Sequence, residues 1–154
     1  MILNNGRNAF ALLAQNSKRG LKAKDGTISN TTTLSQIISA TTYASIVFGD
    51  GITPVSVGDY ELDNEIDDLT VTLASISAVS SDRSYDNANT PLLFVNTIVT
   101  NDTENDISIN ELGIEIKTTA SAPNSNRYLL TRKVLSDTLV LEAGKSYQIK
   151  IEIN

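Results

Sequence analysis

Along most of the chain, apolar and polar residues alternate one for one. The final stretch is the clearest: Tyr147, Ile149, Ile151 and Ile153 fall in one phase, and Gln148, Lys150 and Glu152 in the other. That is the period of a strand with one dry and one wet face. Leu69, Val71 and Leu73 alternate with Thr70 and Thr72 in the same way, and the pattern extends toward Val79. Residues 42–48 read as a strand closed by the turn signal Gly49-Asp50-Gly51. Residues 92–100 form the most apolar run and read as a central strand, and residues 127–135 as another. Ile107 and Ile109 alternate, and then Leu112, Ile114 and Ile116 alternate in the opposite phase. A one-residue slip turns a strand's side chains over, so a bulge or short break is expected at Asn110-Glu111. The connections are polar: a loop with Pro54 and Gly58 and one helical turn at 59–62, a loop at 80–90, a turn at 101–106, a loop at 120–126 and a turn at 142–145. Short strands at this spacing predict an all-β chain, an antiparallel β-sandwich of jelly-roll or Ig-like (immunoglobulin-like) type. No internal repeat or interdomain linker interrupts it.

Residues 1–33 depart from this pattern. Residues 8–15 read as a short helix with Asn8 as N-cap and Phe10 and Leu13 on an apolar side. The cations Lys18, Arg19, Lys22 and Lys24 follow, then a polar stretch at 26–33. The expected organisation is an N-terminal arm over 1–33 and a sandwich domain over 34–154. Two readings of the arm stand side by side: it packs on its own domain, or it reaches to a neighbour. In the second, Phe10 and Leu13 fill a partner's groove. Lys18, Arg19, Lys22 and Lys24 then meet an acidic rim, on a partner or on the 59–68 segment of another copy.

Composition narrows the chemistry. The chain has 154 residues, suited to one domain, and contains neither cysteine nor histidine. Disulfides, thiolate metal sites, the usual general base and the commonest zinc ligand are thereby excluded. A net charge of -6 argues against nucleic-acid binding. No apolar run approaches a membrane span, and no long apolar segment follows the first residues as a secretory signal would require. A soluble protein made in the cytoplasm is expected. Gly49-Asp50-Gly51 completes neither the Rossmann nor the Walker pattern and reads as a turn. Asp59, Glu61, Asp63, Glu65, Asp67 and Asp68 are dense enough to suggest calcium, but their spacing does not match an EF-hand loop. A solvated acidic loop is the preferred reading. A serine nucleophile would have no histidine to activate it, no Ser-x-x-Lys stands at a helix start, and carboxylate pairs are too common to signify a glycosidase. The five tyrosines are scattered, and core or rim positions explain them more simply than a sugar-stacking platform. No enzyme activity, cofactor or metal site is expected.

Three stretches, taken in order, resemble a family of small virion structural proteins of tailed bacteriophages. The first runs from Phe48 to Ile66, with Gly49-Asp50-Gly51-Ile52-Thr53-Pro54, a spacer, and Asp59-Tyr60-Glu61-Leu62. The second contains Thr100-Asn101-Asp102 and Ile107-Ser108-Ile109-Asn110-Glu111-Leu112-Gly113-Ile114. The third joins Leu129-Leu130-Thr131-Arg132-Lys133-Val134-Leu135 to a turn with Ala143-Gly144 and the last strand. The resemblance covers about residues 43–153 and leaves out the arm. It implies a non-enzymatic head-accessory, neck or tail component located in the virion, a homo-oligomer whose partners are other virion proteins and copies of itself. It transfers no catalytic residue. The alternatives are a receptor- or carbohydrate-binding module of a phage fibre, and a hydrolase that lacks histidine. Within the motifs, Gly49, Gly51 and Gly58 are expected to permit tight turns. Pro54 stiffens the connection, and Gly113 allows close approach of another backbone. Glu111 and Arg132 are expected to pair across strands at the surface, where such a pair contributes about 0–1 kcal/mol.

Overall fold

The computed structural model describes residues 21–29, 43–78, 93–117 and 124–153. Their elements are β1 (Leu21–Lys22), β2 (Ile28–Ser29), β3 (Tyr43–Gly49), β4 (Leu69–Ala78), β5 (Leu93–Asn101), β6 (Ile107–Lys117), β7 (Arg127–Leu141) and β8 (Ser146–Ile153). A single 3-10 turn, Asn124–Asn126, precedes β7. The described residues are all-β, with two antiparallel three-stranded sheets, β3-β6-β7 and β4-β5-β8, and a two-stranded hairpin β1-β2. No α-helix occurs among the described residues, and the helix expected at 8–15 lies outside them. The helical turn expected at 59–62 does not form. The backbone turns instead at Val57-Gly58, where the Asp59 carboxylate accepts from the Ser56 amide at 2.9 Å. Two compact units emerge, Met1–Asp67 with Ser108–Val140 and Asp68–Ile107 with Leu141–Asn154.

In the first unit, β3 lies antiparallel to β6 in an unbroken register from Tyr43↔Lys117 to Gly49↔Glu111. The break expected at Asn110-Glu111 is not found: β6 runs continuously over Ile107–Lys117, and its register with β3 is unshifted from Glu111 to Lys117. The apolar phase changes for another reason. Ile109, Glu111, Gly113 and Glu115 alternate on one face, Ile114 and Ile116 on the other, and all six are buried. Carboxylates stand where an apolar phase would have continued. On the glutamate face, Val47, Leu62 and Leu129 pack together with Val55 against them. A Cβ on Gly113 would come within 2.5 Å of Leu129 Cδ1 and 2.8 Å of the Thr131 carbonyl oxygen, so the close backbone approach expected there is found.

The hairpin β1-β2 belongs to the same unit, and its turn carries Gly26 at φ 84, in the left-handed region. Leu21 and Ala23 are buried with Ile116 and Tyr128, and the Lys24 amide donates to the Arg127 carbonyl at 2.9 Å. Of the two readings of the arm, residues 21–29 follow the one that folds on its own chain.

In the second unit, β5 is central, paired with β4 and β8. The register of β4 shifts between Leu73 and Ser75, so Ala74 is the extra residue. Along β8, Tyr147, Ile149 and Ile151 are half-buried while Gln148 and Lys150 are exposed, as the alternation predicts. Val99 and Thr97, opposite Tyr147 and Ile149, are fully buried.

Candidate functional site: an arginine–carboxylate clamp on the 50–66 loop

Residues 50–66 form no regular element apart from one bridge, Gly49↔Glu65, yet they are tied down along their length. The Asp50 amide donates to the Asn64 carbonyl at 3.1 Å, and the Ile66 amide to the Phe48 carbonyl at 2.8 Å. Asn64 Nδ2 donates to Asp50 Oδ1, and Thr53 Oγ1 donates to Asp63 Oδ2 at 2.6 Å. Asn110 Nδ2 reaches the Asp50 carbonyl at 2.9 Å and is itself oriented by Thr138 Oγ1 at 2.7 Å.

Glu111 and Arg132 form the centre. Their side chains are 0% and 3% exposed, and Arg132 Nε donates to Glu111 Oε2 at 2.7 Å. The same guanidinium donates to Asp59 Oδ2 at 2.7 Å and to the Thr53 carbonyl at 3.2 Å. The other Glu111 oxygen accepts the Asn64 amide at 3.0 Å. One buried pair thus holds the loop at Thr53, Asp59 and Asn64. Burial opposes the guanidinium's charge, but Asp59 and Glu111 outweigh it and raise the Arg132 pKa above the ordinary value. The pair expected at the surface is a buried one, because the loop folds over it.

The glycines of the motif make room for this carboxylate. A Cβ on Gly49 or Gly51 would lie 2.5 Å or 2.6 Å from Glu111 Oε1. Neither has a positive φ, and neither does Gly58. The expectation that these three serve unusual turn angles is therefore corrected: for Gly49 and Gly51 the constraint is space.

A second network flanks the first. Arg127 donates to Glu115 Oε2 at 2.9 Å and to Glu65 Oε1 at 2.7 Å, and Lys24 lies 2.8 Å from Glu65 Oε2. Burial again works against the cation, and Glu115 and Glu65 more than offset it, raising the Arg127 pKa. The acidic segment is consequently not a simply solvated loop. Asp59 and Glu65 are claimed by arginines, while Glu61, Asp63, Asp67 and Asp68 are exposed. Among the described residues no group of three or more acidic side chains is placed to hold a metal ion.

Of the residues read from the sequence as partner-binding, Lys22 sits over the Tyr60 ring, 3.6 Å from its centroid, and Lys24 pairs with Glu65. Phe10, Leu13, Lys18 and Arg19 lie outside the described residues. The pairing of Glu111 with Arg132 was legible from their places in facing strands; the roles of Asp59, Glu65, Glu115 and Arg127 were not. The available signal was the Glu111-x-Gly113-x-Glu115 spacing inside an apolar strand, which sets both carboxylates on one face.

No protein-family model matches the chain, and neither a curated protein nor a solved structure matches it.

Proposed function

We propose that this chain is a non-enzymatic structural component of a tailed-bacteriophage particle, a head-accessory, neck or tail protein that binds copies of itself and neighbouring virion subunits. One observation carries the reading. The three stretches that resemble such proteins converge on a single device: Gly49, Gly51, Thr53 and Asp59 from the first, Glu111 from the second and Arg132 from the third. The three motifs thus share one structural role in this chain. The device fixes a long loop without completing a reactive centre, since an arginine cannot serve as a proton acceptor and both Glu111 oxygens already accept hydrogen bonds. The finer reading we keep from the sequence is a jelly-roll or Ig-like sandwich, to which an all-β chain with antiparallel sheets is suited.

The docking role we propose for the N-terminal segment rests on Phe10, Leu13, Lys18 and Arg19, because Lys22 and Lys24 are engaged within their own chain. The test is quantitative mass spectrometry and electron cryo-microscopy of particles purified from a phage encoding this chain. The chain should be present at a fixed copy number and in contact with further copies or neighbouring subunits. Its absence from purified particles would overturn the proposal.

A further inference from the structure

Ser45 of β3 stands directly opposite Glu115 of β6. Opposed residues of an antiparallel pair place their Cβ atoms about 4.5–5.5 Å apart on one face. The Ser45 hydroxyl oxygen and Glu115 Oε1 are both sealed from bulk solvent, and neither makes a hydrogen bond. The other half of this carboxylate is well held, since Oε2 accepts from Arg127. The Lys117 ammonium lies 3.4 Å from Oε1, close enough for attraction but not disposed as a hydrogen bond. A hydroxyl, an anionic oxygen and an ammonium therefore neighbour one another on this part of the sheet.

Leaving a charged oxygen buried without a donor costs more than leaving a neutral group so. The hydroxyl hydrogen is free to rotate, so the missing Ser45–Glu115 bond reflects the position of the oxygens and not of the proton. Polar groups just beyond direct reach, about 3.5 Å or more, are where a bridging water belongs. A buried water needs two to four polar partners, and these three groups are of the kinds that supply them.

We propose that Ser45 Oγ, Glu115 Oε1 and Lys117 Nζ bind one internal water molecule. The water donates one hydrogen to Glu115 Oε1, accepts from the Lys117 ammonium and shares a hydrogen bond with Ser45. It completes the polar seam that runs from Lys24 through Glu65 and Arg127 to β3.

The test is a crystal structure of the full chain at a resolution that places ordered solvent. The expected result is a solvent peak about 2.5–3.0 Å from both Ser45 Oγ and Glu115 Oε1. A Ser45 rotamer bonded directly to Glu115, or the two oxygens facing each other with no peak, overturns the proposal. In solution, the wild-type amides of residues 45 and 115 should show cross-relaxation to long-lived water. That signal should persist in Ser45→Ala, which keeps two of the partners and removes the exchanging hydroxyl. A wild-type protein without the signal, or its complete loss in a folded Ser45→Ala variant, also refutes the site.

Discussion

Glu111 shows how far a single residue's neighbours reset its energetics. An exposed glutamate–arginine pair contributes at most about 1 kcal/mol, whereas breaking a buried pair by removing one partner costs about 3–5 kcal/mol. Arg132→Leu should therefore lower unfolding free energy by about that amount in chemical denaturation, because Glu111 and Asp59 would lose their shared cation. The double variant Glu111→Leu with Arg132→Leu should recover part of the loss, since no buried charge is then orphaned at the centre. Equal destabilisation by single and double variants would contradict this account. The guanidiniums add no pH dependence in the ordinary range. Their pKa values are raised above the ordinary arginine value, so the stabilisation is complete below that ordinary value and declines only as pH rises through the higher folded-state one. Gly113 is the second sensitive position. Gly113→Ala should destabilise by about 1–3 kcal/mol by forcing Leu129 and the Thr131 backbone apart, whereas Gly58→Ala should stay within about 0.5 kcal/mol. The need for a glycine at 113 was legible from its place inside a strand. The burial of Glu111 was not, because hydrophobic periodicity assigns any carboxylate to the wet face, and only the loop folding over it reverses that.

At the scale of elements, the strands were legible because alternation is strict, and their irregularities were not. In β6 buried glutamates imitate a change of phase without breaking the strand, and a register shift that the pattern does not announce occurs in β4, where Ala74 fits either phase. The turn after β5 illustrates a cause that is visible only in three dimensions. Asn101 is fully buried. Its Nδ2 donates to the Asn105 and Leu141 carbonyls, each at 2.8 Å, and its Oδ1 accepts from the Thr103 amide and hydroxyl. Its backbone ties to Lys145 and Gly144. Asn101→Ala leaves several of these groups unpaired, at about 1–3 kcal/mol for each buried one. Amide exchange should accelerate throughout 102–106 and 142–145 together. Acceleration confined to 102–106 would show that Asn101 does not join the two turns. The β1-β2 hairpin has its own acid limit. The Thr27 hydroxyl and amide hold the Asp25 carboxylate below its usual 3.8. This contribution is present above pH 3.8 and is lost as pH falls through the lower folded value, so the hairpin amides should exchange faster there.

For the whole molecule, the boundary between arm and body moves toward the N-terminus. Leu21, Ala23 and Lys24 belong to the first unit's packing, so deletion of residues 1–33 would remove core as well as any docking segment. Deleting residues 1–20 should leave a cooperatively folded protein that fails to incorporate into particles. Deleting 1–29 should in addition lower the thermal midpoint. Normal incorporation after the shorter deletion would refute a docking role for Phe10, Leu13, Lys18 and Arg19.

Each of the two units is assembled from separated stretches of chain, and this bears on synthesis. β3 leaves the ribosome roughly 60 residues before its partner β6, an interval of about 3–12 s at 5–20 residues per second. Through that interval Ile46, Val47 and Phe48 have no β6 partner. β5 likewise waits for β8 to cover its second edge. The nascent protein therefore passes through a window in which apolar strands are complete but unclosed. Yield at high expression should depend on chaperone capacity and translation speed more steeply than the finished protein's stability would suggest.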